Sequence, residues 1–318
     1  WLEFRRVLFR SGSSALVLIQ NNAVQPVPQI ASPTFLAGSY LTSSQSGKAF
    51  LVIPTPQPPR DFAIVHAATF QPANGLAAGT LASLFAASTG VSQSFAATAL
   101  PLPRTLGGVT LLIDGRLEFN NFQWSAVGGI EAPLLFVGPG QINFQIPPGI
   151  DPGNPLAPRL IPAVLRLPDG TTLTSAFTLR ASAPGIFFRQ LGGQTQPAIL
   201  NQDGTQNGTP GATLAGRPAA RGSVLIIYAT GAGDTTPALL PGEPAPASGN
   251  PLIQTKVQPT VTIGDEQAQV LFSGMAPGFV GLWQINVEIP AGISPGPAVP
   301  LTISVGGAPS NTVTIAVE

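Results

Sequence analysis

Few residues of this sequence could serve as catalysts, because the chain has no cysteine and only one histidine, His66. A Ser–His–Asp triad would have to use His66 as its general base. The neighbours of His66 in AIVHAATF are mostly apolar, which favours a structural place in a strand or at a strand edge. The sequence also contains no G-x-S-x-G nucleophile elbow. We therefore expect no catalytic residue and no enzymatic activity.

Paired carboxylates could carry out acid–base catalysis if their environments separated their pKa values. The chain has 14 Asp and Glu residues. Several aspartates stand beside glycine or at expected strand ends, where turn geometry alone favours Asp. These aspartates are Asp114, Asp169, Asp203, Asp234 and Asp265. Their contexts indicate turns rather than a catalytic pair.

The segment NQDGTQNGTP at 201–210 offers oxygen ligands of the kind that calcium prefers. The candidate ligands are Asn201, Asp203 and Asn207. An EF-hand loop needs more carboxylates and a terminal Glu, which this segment lacks. The alternative is a hairpin with an Asp-Gly turn. We therefore expect no metal and no cofactor, and these three residues are the calcium candidate.

Two further segments could bind ligands. Trp124 and Trp283, with Tyr40 and Tyr228, could form a stacking platform for sugars. The glycine-rich TGAGD at 230–234 could cradle a phosphate only if a helix began directly after it. The following residues, TTPALLPGEPAPASGNP, are unsuited to a helix, so a loop is predicted there.

The composition argues against two classes of partner. Charged residues make up only 9% of the chain, and the formal net charge is +0. Binding to nucleic acid or to an anionic membrane needs a basic stripe or patch. No apolar run reaches the ~18 residues of a membrane span, and the best candidate, 76–102, is interrupted by Ser, Thr, Gln and Gly. We expect neither a nucleic-acid partner nor membrane insertion.

An internal repeat is the most informative feature of the sequence. FVGPGQINFQIPPGIDPG at 136–153 aligns without a gap on FVGLWQINVEIPAGISPG at 279–296, at an offset of 143 residues. The same offset places GTLASLFA (79–86) on GSVLIIYA (222–229) and Phe85 on Tyr228. Trp283 falls on Gly140, so an aromatic platform would belong to one copy only.

The repeat predicts strands in both copies. QINFQIP and QINVEIP alternate polar and apolar residues, as half-buried strands do. GTLASLFA could be a helix by its Ala and Leu content, but its counterpart is β-branched and aromatic, so we expect two strands. Asp169-Gly170 and Gly306-Gly307 each indicate a hairpin. The pattern predicts an all-β fold of two tandem immunoglobulin-like β-sandwiches, and proline at many strand ends disfavours a closed barrel.

The repeat also sets the expected domains. Residues 61–188 and 193–318 are predicted to form the first and second sandwiches. Residues 12–60 are expected to be an upstream segment that ends in a proline-rich linker. The sequence leaves open whether the sandwiches pack on each other or swing about residues 186–197.

Copy two resembles the Solibacter C-terminal domain family, whose members recur at the C-terminal ends of large, predicted exported proteins of soil bacteria. The matching pattern is N-x-D-G-T (Asn201, Asp203, Gly204, Thr205), P-A-x-x-G (Pro218, Ala219, Gly222), A-T-G-x-G (Ala229, Thr230, Gly231, Gly233) and A-P-G-x-x-G-x-x-Q-x-N (Ala276, Pro277, Gly278, Gly281, Gln284, Asn286). Copy one lacks the N-x-D-G-T turn. Each copy is also similar to TIG-type immunoglobulin-like sandwiches. The resemblance implies a module type and a location, and it transfers no catalytic residue.

Residues 1–11, WLEFRRVLFRS, differ from the rest of the chain because they hold three of its 14 Lys and Arg residues. LEFRRVLFRS resembles the translation of a common sequencing-adapter strand. We therefore expect residues 1–11 to be an artefact that carries no information about the fold.

These observations predict a non-enzymatic extracellular or cell-surface accessory module, a stalk, spacer or adhesion unit at the C-terminus of a larger exported bacterial protein. The first alternative is a carbohydrate-binding module. The second is the accessory part of a hydrolase whose catalytic domain lies upstream. A surface glycan and another cell-surface protein are the partners left open.

Overall fold

In a computed structural model, the described residues are 17–20, 23–26, 60–71, 75–120, 123–154, 157–191, 193–209 and 216–318. Every regular element among them is a β-strand. The chain divides into two compact units, Trp1–Gln57 and Pro58–Glu318. The described part of the first unit is one antiparallel hairpin, β1 (Val17–Gln20) and β2 (Ala23–Pro26).

The second unit contains twenty-seven further strands among its described residues. Those before residue 181 are β3 (Phe62–His66), β4 (Leu76–Ala77), β5 (Leu81–Ala86), β6 (Phe95–Ala96), β7 (Thr105–Leu106), β8 (Val109–Ile113), β9 (Arg116–Asn120), β10 (Gln123–Val127), β11 (Ile130–Glu131), β12 (Leu134–Gly138), β13 (Gln141–Gln145), β14 (Gly153–Asn154), β15 (Ala157–Arg166) and β16 (Thr172–Arg180). Those that follow are β17 (Gly185–Ile186), β18 (Phe188–Leu191), β19 (Gln194–Pro197), β20 (Ile199–Asn201), β21 (Val224–Thr230), β22 (Thr235–Thr236), β23 (Gln254–Thr255), β24 (Thr260–Ile263), β25 (Glu266–Met275), β26 (Trp283–Glu288), β27 (Gly296–Val305), β28 (Ala308–Pro309) and β29 (Val313–Val317).

The first core of this unit lies between two sheets. One sheet has the strand order β3-β5-β13-β12-β6, and the other has the order β11-β8-β15-β16-β4. Alternation along β13 assigns the faces: Ile142 and Phe144 are fully buried in the core, so Gln141 and Asn143 lie on the outer face. The pairing of β4 with β16 is parallel, whereas the other pairings in these two sheets are antiparallel.

The second core is enclosed by one sheet that folds over itself. Its strand order is β17-β21-β26-β25-β24-β27-β28, with β29 beside β27. The first half of β25 pairs with β24 and the second half pairs with β26. Ile227 and Ile285 from one end of this order share a core with Ile263 and Ile303 from the other end. The long strand β25 therefore connects the two layers of the second sandwich.

The predicted fold class, all-β with immunoglobulin-like sandwiches, is confirmed for the described residues. Residues 81–86 form a strand, as predicted over the helix alternative. The expected hairpins also form: β15 pairs with β16 around Asp169-Gly170, and β27 pairs with β28 around Gly306-Gly307. In the described part of the chain, no helix is long and apolar enough to span a bilayer.

The strand registers correct part of the sequence alignment. Gln141 pairs with Phe85 as Gln284 pairs with Tyr228, so the offset of 143 residues holds across these strands. Phe136, however, pairs with Asn143 as Phe272 pairs with Asn286. The structural counterpart of Phe136 is therefore Phe272 and not Phe279, because a longer loop precedes β26 than precedes β13.

The first core should depend strongly on Phe144, whose side chain is 0% exposed. We expect Phe144→Ala to lower the free energy of unfolding by about 3–5 kcal/mol, because the truncation leaves a cavity. Urea denaturation measures the change. The control is Phe279→Ala, since Phe279 is 58% exposed and its loss should stay within about 0.5 kcal/mol. Equal losses in the two variants would contradict the assigned core.

Candidate functional site

The calcium candidates lie in a turn whose amide groups bond within the protein. Asn201 is 7% exposed and Asn207 is 1% exposed. The Nδ2 of Asn207 donates to Oδ1 of Asn201 at 2.9 Å, and Oδ1 of Asn207 accepts from the backbone N–H of Ala316 at 2.9 Å. Asp203 is turned to solvent, where its Oδ1 accepts from the N–H and hydroxyl of Thr205.

Asn201 and Asn207 attach this turn to strand β29 of the second sandwich. Asn207 also donates to the carbonyl oxygen of Ala316 at 3.0 Å, so one side chain pairs with β29 as a neighbouring strand would. Thr205 lowers the pKa of Asp203 through side-chain and backbone hydrogen bonds. Among the described residues, no three His, Asp or Glu side chains form a metal-binding group. The three candidates are thus close in space, but two of them hold the turn onto β29.

Trp283 is not available as a stacking platform. Its side chain is 0% exposed, and its Nε1 donates to the hydroxyl of Ser273 at 3.0 Å. The prediction of Trp283 as a ligand-binding residue is therefore wrong. Trp283 is the first residue of β26, and its side chain packs in the second core. Trp124 lies in β10 opposite Phe119, and its side chain is outside the described part, as is Tyr40.

His66 is fully buried, and both of its ring nitrogens contact the backbone. Nδ1 lies 3.2 Å from the N–H of Ala68, and Nε2 lies 2.9 Å from the carbonyl oxygen of Ala183. Because the Ala68 N–H can only donate, Nδ1 accepts and Nε2 carries the proton. Burial lowers the pKa of His66 to about 4, against the opposing effect of the Ala183 hydrogen bond. The ring is therefore neutral at pH 7, and it ties β3 to the segment that leads into the second sandwich.

Thr230 makes a second connection between the sandwiches. It is the last residue of β21 and is 0% exposed. Its hydroxyl accepts from the N–H of Leu81 at 3.0 Å and donates to the carbonyl oxygen of Gly281 at 2.8 Å. Leu81 is the first residue of β5, so one hydroxyl joins the end of a strand in one sandwich to the start of a strand in the other.

A third connection involves the loop that contains Gly242. The buried side chain of Gln145 accepts from the Gly242 N–H through Oε1 at 2.8 Å, and the Leu102 N–H donates to the Gly242 carbonyl oxygen at 2.9 Å. Arg104 donates to the carbonyl oxygens of Glu131 and Pro241 at 2.6 and 2.7 Å. The two sandwiches thus pack on each other, which the sequence had left open. We call these contacts, with those of His66 and Thr230, the junction.

Glycine is required where the junction is tightest. Gly231 has a φ of +86°, and a Cβ there would lie 1.8 Å from the carbonyl oxygen of Ala183. Gly281 has a φ of +65°, and a Cβ there would lie 2.9 Å from Cδ2 of Leu81. Both belong to the glycine-rich motifs of copy two. Residues 231–234 therefore form a loop at the junction directly after β21, as the loop prediction for TGAGD indicated, and no helix follows them.

Each sandwich also carries an outward-facing group of aromatic and amide side chains. In the first, these residues are Phe85, Phe136, Gln141 and Asn143, which we call face 1. In the second, they are Tyr228, Phe272, Gln284 and Asn286, which we call face 2. Phe85 is 39% exposed and the other seven are half-buried. Within the faces the strand pairings match, since Gln141 pairs with Phe85 and Phe136 with Asn143 in face 1, and their counterparts pair in the same way in face 2.

The internal contacts of the two faces also match. Gln141 donates through Nε2 to Oδ1 of Asn143 at 2.8 Å, and Gln284 donates likewise to Asn286 at 3.0 Å. A Cβ at Gly138 would lie 2.9 Å from Cε1 and Cζ of Phe136, and a Cβ at Gly274 would lie 2.7 Å from Cζ of Phe272, with the carbonyl oxygen of Ile253 nearer still at 2.3 Å. Each phenylalanine ring therefore lies over a glycine of its own strand.

The sequence contains a signal for part of these faces, although Tyr228 is the only one of their eight residues that the sequence predicts as a ligand-binding candidate. The shared Q-I-N of the repeat places Gln and Asn on the polar side of an alternating strand. Alignment of Phe136 with Phe279 concealed the aromatic partner, since Phe272 lies on the preceding strand. The amide pairs could therefore have been found from alternation alone, whereas the rings needed the strand register.

No family model matches the chain, and no curated protein matches it. The resemblance to the Solibacter family and the adapter origin of residues 1–11 stay predictions.

Several solved structures are similar to parts of the chain. The protein SGBP-B from a complex xyloglucan utilization locus in Bacteroides uniformis is 11% identical, with a TM-score of 0.24. That match covers 82% of this chain and 49% of the other, so this chain spans about half the length of SGBP-B. Bovine butyrophilin is 11% identical with a TM-score of 0.21, covering 80% of this chain and 98% of its own. Murine CEACAM1b is 9% identical with a TM-score of 0.18, covering 76% and 95%.

The buried ring of His66 should titrate far below its usual range. His66 is the only histidine, so its imidazole signals in an NMR titration need no further assignment. We expect a midpoint at about 4 instead of 6.5. The unfolded chain binds this proton near pH 6.5 and the folded chain only near pH 4, so stability falls by about 3 kcal/mol as the pH drops through that window.

A matched variant separates this effect from other acid-sensitive groups. His66→Asn removes the titrating ring, so its stability in urea should change much less than that of the parent chain between about pH 6.5 and 4. A His66 midpoint near 6.5, or an unchanged pH dependence in His66→Asn, would contradict the buried neutral ring.

Asn207→Asp should destabilise the second sandwich at neutral pH. The change replaces an N–H donor by an oxygen that faces two acceptors, Oδ1 of Asn201 and the carbonyl oxygen of Ala316. We expect the free energy of unfolding to fall by roughly 2–4 kcal/mol, because the new carboxylate is buried and one of its oxygens has no hydrogen-bond donor. Thermal unfolding followed by circular dichroism measures the loss. Asp203→Asn is the control, since the exposed turn keeps its acceptor, and a similar loss there would argue against the role of Asn207.

Proposed function

We propose that this chain is a non-enzymatic extracellular accessory module that acts as a spacer at the C-terminus of a larger exported protein. The junction is the observation that carries this proposal. A spacer holds its neighbours at a set distance only if its own domains keep a fixed arrangement. Interfaces between domains otherwise permit relative motion. Here three separate sets of buried or partly buried hydrogen bonds connect the sandwiches.

The state of His66 supports the non-enzymatic part of the proposal. A general base needs a ring nitrogen that can reach a nucleophile. Both nitrogens of His66 contact the backbone inside the protein, and the ring is 0% exposed. The extracellular location is supported by the resemblance of copy two to domains of exported proteins.

The fixed arrangement can be tested with a matched pair of glycine variants. Gly231 and Gly307 have nearly equal φ angles, +86° and +84°, but a Cβ at Gly307 has nothing within 4 Å. We expect Gly231→Ala to separate the sandwiches, because its Cβ would collide with the carbonyl oxygen of Ala183. Small-angle X-ray scattering of the full chain should then show a larger radius of gyration, whereas Gly307→Ala should scatter like the parent chain.

If Gly231→Ala keeps the scattering profile of the parent chain, the junction does not fix the sandwiches and the spacer proposal fails. Labelling of intact producing cells with an antibody tests the location, and labelling only after lysis would contradict it. Turnover in an esterase or glycosidase panel that His66→Ala abolishes would contradict the non-enzymatic role.

A further inference from the structure

We propose that face 1 and face 2 are two binding sites for a neutral polysaccharide. Such binding goes beyond the spacer role, because it assigns a ligand to eight residues that make none of the junction contacts. Four observations support it: the placement of the aromatic rings, the unused hydrogen-bonding atoms of the amides, the absence of charge on the faces, and the duplication.

The aromatic rings offer the apolar part of a sugar site. The outer edges of the Phe136 and Phe272 rings lie over Gly138 and Gly274. Both rings are half-buried, so part of their apolar surface stays accessible on the outer face of the sheet. The C–H face of a pyranose ring is apolar, so it gains from contact with such a surface, as other ligands do in aromatic-lined sites.

The amide pairs offer the polar part. In face 1, Oε1 of Gln141 and Nδ2 of Asn143 have no hydrogen-bond partner among the described residues, and Oε1 of Gln284 and Nδ2 of Asn286 in face 2 are in the same situation. Each pair therefore presents at least one free acceptor and one free donor, which suits a hydroxyl group that both donates and accepts. Because the Gln–Asn hydrogen bond already holds the two side chains, binding would cost less ordering entropy than for free side chains.

The charge of the faces selects the class of sugar. None of their eight residues carries a charge at pH 7. The nearest charged side chain on β13 or β26 is Glu288, which lies two residues beyond Asn286 on the same side of its strand. An acidic polysaccharide or a phosphate group would find no positive partner there. A neutral polysaccharide is therefore the occupant that the charge of the faces favours.

The size and duplication of the faces also favour a polymer of small units over a protein. Each face covers three neighbouring strands, which is a width of roughly 10 Å, whereas a stable protein interface needs about 800 Å² on each partner. Two sites in one chain suit a ligand that repeats its own unit, because a second contact on the same polymer raises the overall affinity. The outward positions are not dictated by core packing, so the core does not account for the match between the copies.

The test is calorimetric titration of the full chain with cellohexaose, mannohexaose and xylohexaose, each used separately. We expect saturable binding of at least one of these neutral hexasaccharides, with two sites per chain and a dissociation constant of about 0.01–1 mM, as a few hydrogen bonds and one stacked ring would give. Gln141→Ala and Gln284→Ala should each reduce the stoichiometry from two sites to one. The double variant should not bind.

The control is Gln267→Ala, an exposed glutamine of β25 outside both faces, which should leave binding unchanged. The proposal is overturned if none of the three sugars binds saturably, or if the double variant still binds. It is also overturned if sedimentation shows a dimer of the parent chain that the double variant does not form, because the faces would then join two copies of this chain. X-ray scattering of the same samples tests the spacer role separately, because the face variants leave the junction intact.

Discussion

The hydroxyl of Thr230 is the contact on which the arrangement of the sandwiches depends most directly. It is buried, and its donor and acceptor functions are both used, one on each side of the junction. The Leu81 N–H is partly buried, so leaving it without a partner would cost part of its desolvation free energy in addition to the lost hydrogen bond. The neighbouring Gly231 adds a steric constraint, since no side chain fits against Ala183. Together these residues hold the end of β21 close to the start of β5.

His66 complements this contact from the other side of the junction. Its ring reaches the segment between the sandwiches, whose Ala183 also donates to the carbonyl oxygen of Gly231 at 2.9 Å. A single backbone segment is thus held by a side chain of the first sandwich and by a loop of the second. The neutral state of the ring is necessary here, because a proton on Nδ1 would face the N–H of Ala68. The one histidine of the chain is therefore explained by its structural place.

Local pattern predicted much of the fold, and long-range contacts account for what it missed. Alternation in QINFQIP was enough to place Gln141 and Asn143 on one side of a strand, and Asp-Gly and Gly-Gly pairs were enough to place hairpins. The contact of His66 with Ala183 spans 117 residues, and nothing near His66 in sequence indicates it. The alternation of β26, continued one residue upstream from Gln284, also predicts the buried side of the strand for Trp283, which the stacking-platform hypothesis did not take into account. The strand β26 begins one position earlier than β13, which places the indole in the core.

The two copies have different residues at equivalent positions whose structural surroundings differ. They have the same residues at outward positions that core packing does not constrain. Trp283 and Gly140 occupy equivalent positions, but one lies in a core and the other in a turn, so each residue type follows from its packing. No such reason applies to the outward Gln–x–Asn of β13 and β26. The faces are still not identical: Asn143 accepts a further hydrogen bond from Ser83, whereas the residue opposite Asn286 is Ile226. Face 2 also has the hydroxyl of Tyr228 where face 1 has Phe85. If both bind sugar, face 2 has the more unused polar atoms, and it should therefore be the tighter site.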